Sequence, residues 1–292
     1  ADVIVPWHIE NKLHPGWQGW FTRFIEGGSQ KINSDLTPIG LFYSISHGNA
    51  VFAPSLRGIY SQFERVNLKS VVLLFAIVFL LYFIFRPRNG QFFRGGITLS
   101  IMTTGFAGMT FDLMIIFTFQ SIYGYVFSWI GILVASFMAG AASGALLITS
   151  VLERIKNYCK VFKVTELAII CFSIALPFVF LAIPDNPGNP EAFFLYKLLF
   201  LFLSFICGFL TSSQFPLANK LYLEKSRNVG QTAGTLYASD LLGGWFGGIL
   251  GAVVLLPVLG LTGTCITVGL IKLTSFVVIT TQLDRHLLGR EK

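Results

Sequence analysis

The chain has 292 residues, 54% of them hydrophobic and only 12% charged, with a formal net charge of +7. A soluble domain carries about 25% charged residues, so this composition, with a mean hydropathy of +0.70, excludes an ordinary soluble fold and describes an integral membrane protein. In such a chain the positive excess is a signal of topology, which excludes nucleic acid as the natural partner and leaves membrane lipid in its place.

Residues 1–69 mix Pro, Gly, Trp and charged side chains and read as an extramembrane segment. Trp7, Trp17 and Trp20, in "PWHIENKLHPGWQGW", suit an aromatic belt at the membrane surface or a docking patch for a periplasmic partner.

Seven apolar runs follow, at about 70–86, 97–118, 126–149, 164–184, 192–216, 231–257 and 261–281. Each has about the 20 residues that a helix needs to cross a hydrocarbon core of ~30 Å. The expected fold is therefore an all-α bundle of seven spans over residues 70–292, preceded by the short outer segment.

The loops orient it. Arg86, Arg88 and Arg94 follow the first run; Arg154, Lys156, Lys160 and Lys163 the third; Lys220, Lys225 and Arg227 the fifth; Arg285, Arg290 and Lys292 the seventh. The alternate loops hold no Lys or Arg. The basic loops are cytoplasmic by the positive-inside rule, which places the amino terminus outside and the carboxyl terminus inside. Arg57, Arg65 and Lys69, just before the first run, pull the other way and are outweighed.

Charges also fall within or at the edges of the runs: Asp112, Glu166, Lys197, Asp240 and Lys272. Asp240 lies about 14 Å into the sixth run and Lys272 about 16 Å into the seventh. Both stand near the midplane on consecutive antiparallel helices, so they are the expected pair. Asp112 and Lys197, both toward the outer face, form a second expected pair, and Glu166 is placed at the start of the fourth run, where a helix amino terminus favours an anion. Structural ion pairs are one reading of these charges, a proton or cation pathway is a second, and acids that are simply protonated are a third.

Gly243, Gly244, Gly247, Gly248 and Gly251, with Gly140 and Gly144, carry GxxxG spacings, which let helix backbones approach closely in lipid. Asp240, Gly244, Gly247 and Gly251 are expected on one helix face. The 30 phenylalanines fit lipid-facing and interhelical packing, or a groove for a quinone, pigment or lipid tail. Cys159, Cys171, Cys207 and Cys265 stand alone without CxxC, and His8, His14, His47 and His286 have no paired ligand spacing. No catalytic, cofactor-binding or metal residue is assigned.

From about Ile32 onward the chain resembles the membrane-bound spermidine synthase-like proteins. "KINSDLTPIGLFYS", with Asn33, Asp35 and Pro38, looks like the end of their synthase-like domain. "TGFAGMTFDLMIIF", "SFMAGAASGALL", "GFLTSSQFPLANKLY" and "VGQTAGTLYASDLLGGWFGGILGAVVLLPVLGL" continue the likeness in order, with Asp112 where a glutamate is common. The resemblance implies a half bundle of the major-facilitator kind joined to an aminopropyltransferase-like domain. The nucleotide loop after a strand and the acidic base that such catalysis needs do not occur in these residues. The chain is expected to correspond to the carboxyl-terminal membrane half.

The expected role is a non-catalytic scaffold or anchor subunit of a larger membrane complex, such as a redox or electron-transfer assembly in a bacterial inner membrane. The alternatives are part of an aminopropyltransferase whose catalytic half lies elsewhere, and half of a proton- or cation-coupled transporter.

Overall fold

The computed structural model describes residues 10, 14–26, 33, 38–52, 62–63, 66–84, 93–124, 127–183, 190–223 and 228–288. The regular elements among them are all helical. They are α1 (Pro15–Glu26), α2 (Ile39–Phe52), α3 (Leu68–Ile84), α4 (Phe93–Tyr123), α5 (Phe127–Val151), α6 (Tyr158–Ala182), α7 (Pro190–Leu223), α8 (Val229–Leu250) and α9 (Gly260–Leu288). A short 3₁₀ turn, Leu152–Arg154, closes α5, and a π-helical segment, Gly251–Leu259, extends α8.

The chain divides into two compact units, Ala1–Asn33 and Ser34–Lys292. In the first, Pro15 opens α1 at a position where a missing backbone N–H costs nothing. The carbonyl of His14 accepts from the amides of Trp17 and Gln18. Trp17 and Trp20 meet edge to face at 5.9 Å and are both exposed.

The second unit is a membrane bundle. Counted as uninterrupted helical stretches, five among the described residues are long and apolar enough to cross a bilayer, and Leu68–Tyr82 is a shorter apolar helix. The fifth stretch runs from Val229 to Gln282, but it is folded back on itself. Along α8, Gly243 meets Met102 of α4, Gly247 meets Phe106 and Gly251 meets Thr110, so α8 runs parallel to α4. Along α9, Lys272 reaches Thr104 while Gln282 crowds Gly96, so α9 runs antiparallel to it. The reversal falls at Gly260, where φ is 70°, a conformation that glycine adopts without the clash a Cβ would bring. The π-helical turn leads into it. Pro257 has no N–H to give and its ring crowds the preceding turn, which favours a widened helix there.

α4 is the centre of the bundle. Its most apolar window is 67% buried, against 17% for α5 and 28% for α7, and α7, α8 and α9 all pack on it. Ile97, Ile101, Ala107, Phe111, Met114, Ile115 and Phe119 are buried along it. Phenylalanines serve both inside and outside. Phe111, Phe119, Phe162 and Phe200 are fully buried, with Phe119 and Phe200 edge to face at 5.5 Å, while Phe127, Phe178 and Phe202 lie on the outer surface.

Two pairs of parallel helices touch backbone to backbone. A Cβ at Gly140 or Gly144 of α5 would run into the carbonyls of Phe205 or Phe209 of α7, and one at Gly208 would strike the Phe137 carbonyl. The same is true of Gly243 and Gly247 of α8 against Met102 and Phe106. Such contacts occur only where the side chain is absent. Hydroxyls add to the first seam: Ser136 donates to the Leu201 carbonyl at 2.8 Å and Ser204 to the Leu133 carbonyl at 2.9 Å.

The glycine stripe differs from the expected one. Gly243 and Gly247, not Gly244, Gly247 and Gly251, bring α8 against α4. A Cβ at Gly251 would make ordinary contact with the Thr110 side chain at 3.4 Å, and one at Gly244 would find only the Gly105 oxygen at 3.9 Å.

Candidate functional site

Gly96, Ser100, Thr104, Gly108 and Asp112 recur every fourth residue of α4 and therefore stack on one face. That face turns inward, toward α6, α7 and α9, and it carries the polar core of the bundle.

Glu166 of α6 and Lys272 of α9 meet there, with Glu166 Oε2 2.6 Å from Lys272 Nζ and both side chains 0% exposed. Neighbouring hydroxyls add hydrogen bonds to the pair. Glu166 Oε1 accepts from Ser100 of α4 and, at 3.2 Å, from Ser275 of α9. Lys272 Nζ donates to Thr104 Oγ1 at 2.9 Å. The Thr104 hydroxyl is in turn within reach of the Ser100 carbonyl, at 2.7 Å, and of Gln214 Oε1 on α7. One acid, one base, three hydroxyls and one amide thus tie four helices together. A charge in a low-dielectric interior is tolerated when it is both paired and hydrogen-bonded, and this network meets both conditions.

Lys272 is therefore not paired with Asp240, as expected from the sequence. The two are at the same depth: Lys272 touches Thr104, and a Cβ at the next residue, Gly105, would lie 2.7 Å from Asp240 Oδ1. Successive helical residues point about 100° apart. Lys272 and Asp240 consequently sit on different sides of α4, and the helix itself separates them. Depth along a span is legible from residue counting; the direction around a third helix is not.

Glu166 also departs from its expected place. It is not at the start of its helix but two turns in, because α6 begins at Tyr158, with Asn157 as its cap. The Asn157 side chain accepts from the Lys160 amide at 2.9 Å, satisfying an amide that the first turn leaves open. Lys160 and Lys163 thus lie in the opening turns, which sequence reading had taken as loop.

Asp112 and Lys197 do not form the second expected pair. Lys197 lies over the rings of Phe193, Trp129 and Tyr123, at 4.6, 4.7 and 5.5 Å from their centroids. These aromatic faces hold the ammonium by cation–π attraction. Asp112 faces Ser204 of the same helix α7, about 10 Å deeper than Lys197 by helical rise. It is buried, and its Oδ1 has no hydrogen-bond partner; Gln214 Nε2 is likewise without one.

Gly140, Gly144, Gly243 and Gly247 act in packing as their spacing implied, whereas Gly244 and Gly248 are half-buried and Gly251 meets only a side chain. Sequence reading missed Gly208, Ser100, Thr104 and Gln214. The fourfold spacing of small and polar residues in the least hydropathic of the spans, at 1.5 for Arg94–Tyr123, was the available signal for the two on α4. Of the tryptophans, Trp17 and Trp20 are exposed on α1, and Trp7 lies outside the described residues. A comparison of the chain with protein-family models, curated proteins and solved structures returns no match.

Proposed function

We propose that this chain is a non-catalytic scaffold or anchor subunit of a larger complex, such as a redox or electron-transfer assembly, in a bacterial inner membrane. The observation that carries the reading is the closed polar core. Glu166 and Lys272 are 0% exposed and bond to one another and to hydroxyls of α4 and α9, with Gln214 of α7 joined through Thr104. That arrangement suits groups that fix how helices pack. An acid that shuttles protons needs access to water from one side or both.

In this reading the bundle has seven spans, from α3 through α9 with α8 and α9 counted separately. The amino terminus is outside and the carboxyl terminus cytoplasmic, with the basic loops inside. The resemblance to the membrane half of spermidine synthase-like proteins supports the half-bundle reading, and the exposed Trp17 and Trp20 supply an outer surface for a periplasmic partner.

Native purification in a mild detergent, followed by native mass spectrometry, is expected to give the chain with other polypeptides in fixed stoichiometry. Recovery of the chain with lipid alone overturns the scaffold role. For orientation, a cysteine introduced at Glu191 is expected to react with an impermeant reagent from outside, and one at Asn157 only after the membrane is opened. Labelling of both from one side removes the odd number of crossings between them.

A second reading, half of a proton-coupled carrier, draws on the unpartnered Oδ1 of buried Asp112. Proton flux into vesicles holding the purified chain, lost on Asp112→Asn, would replace the scaffold with it.

A further inference from the structure

Asp240 is a carboxylate at mid-depth on the outward side of the bundle. It is half-buried, it stands over Gly105 of α4, and among the described residues no cation or hydrogen-bond donor reaches it. Leu241 and Trp245 beside it are exposed, at 55% and 58%, to what is lipid in a membrane. An acid left against lipid is costly, and such groups in membrane proteins face a partner or a polar cavity.

A second observation adjoins the first. Gly244 and Gly248 follow Asp240 at four-residue spacing, on the same side of α8. The chain's own packing gives no reason for them. A Cβ at Gly244 would find only the Gly105 oxygen at 3.9 Å, and one at Gly248 only the flexible Met109 side chain at 3.6 Å. Alanine would fit at both and is the better helix former. The surface around the acid is thus thinned for a close backbone approach that nothing in this chain makes.

We infer that this face of α8, with Gly105 and Met109 of α4 at its edge, receives a transmembrane helix of a different polypeptide that carries a lysine or arginine opposite Asp240. Charge complementarity selects this occupant. A second copy packed through the same patch about a two-fold axis would bring the two Asp240 carboxylates together, where low dielectric magnifies their repulsion. Thin faces and a buried polar contact are the two means by which helices associate in lipid. This inference rests on the chain being one subunit among several, and it names the chemistry of one contact.

The test uses the full chain reconstituted in phosphatidylcholine vesicles. The probes are designed single-span Leu/Ala helices with a small-xxx-small face and a central Lys, Leu or Glu, and association is read by resonance energy transfer. The Lys helix is expected to bind about tenfold more tightly than the Leu helix, and the Glu helix no better than Leu. Asp240→Asn should remove the advantage of Lys, and Gly248→Ile should weaken the binding of both Lys and Leu helices, with thermal stability of the chain unchanged in each. Equal binding of Lys and Leu helices, or a Lys preference that survives Asp240→Asn, overturns the proposal. So does self-association of the chain that is lost with Asp240→Asn, which would assign the face to a second copy. If native subunits still co-purify with Asp240→Asn, the scaffold role stands and this contact fails. If none co-purify with the unaltered chain, the scaffold role fails while the helix probes still report on Asp240.

Discussion

Thr104 and Gly105 are consecutive residues of α4 at one depth in the bundle, and they look onto opposite electrostatic worlds. On the Thr104 side an acid and a base are sealed in, each held by the other and by hydroxyls of neighbouring residues. On the Gly105 side a single carboxylate lies half-buried with no cation among the described residues. The comparison teaches that the cost of a charge in this interior depends on its azimuth around α4, because azimuth decides which helices can bring it a counter-charge. It also separates charges that hold the fold together from a charge that the fold leaves over.

The largest expected effect comes from the sealed side. Lys272→Ala leaves Glu166 buried without its counter-ion, and Glu166→Ala does the same to Lys272. Each should cost about 3–5 kcal/mol in detergent unfolding, and replacing both with apolar residues of similar volume should recover most of that loss. A double-mutant cycle reads the coupling. Additive losses would break the comparison by showing that the two charges act separately.

Next come the glycines flanking the two sides. Gly243→Ala drives a methyl into the Met102 carbonyl and should destabilise by about 1–3 kcal/mol. Gly244→Ala meets only open space and ordinary contact, and should stay within about 0.5 kcal/mol of the unaltered chain. Equal losses in thermal melts would mean that α8 presents a different face to α4.

A smaller effect sharpens the picture of the network. Gln214→Met removes an acceptor of Thr104 but also an amide nitrogen that has no partner. The Thr104 hydroxyl keeps the Ser100 carbonyl at 2.7 Å. The two changes oppose one another, so the net cost should be below about 1 kcal/mol. A loss of several kcal/mol would show that Gln214 is as deeply wired as Glu166.

The smallest effect belongs to the open side. Among the described residues Asp240→Asn breaks no hydrogen bond or ion pair, so the melting midpoint should not fall. A clear loss of stability would reveal a partner for Asp240 within the chain.

Much of this architecture was legible in the residues, and the errors share one cause. The all-α, apolar character was legible because apolar runs of sufficient length have few alternatives. That Asp240 and Lys272 lie at one level followed from counting, since helical rise is fixed. Pairing did not follow, because counting gives depth and no direction. Glu166 was misplaced at a helix end because apolar content begins at Val164, while the helix begins at Tyr158 through the cap at Asn157. Lys197 was matched with an acid because charge suggests charge, yet the rings of Phe193, Trp129 and Tyr123 were the groups within reach.

The sequence by itself determined that this is an all-α membrane protein, that Asp240 and Lys272 lie at one level, and that Gly140, Gly144, Gly243 and Gly247 suit close helix contacts. Those properties are one-dimensional: they depend on composition, on run length and on a rise per residue that every α-helix shares. Only the tertiary structure decided that Lys272 meets Glu166 and not Asp240, that Gly243 and Gly247 make the seam while Gly244 and Gly248 are left outside it, and that α4 stands at the centre. The physical reason is that these depend on rotation about helix axes and on the order of helices around one another, and both are set by how all the faces pack at once.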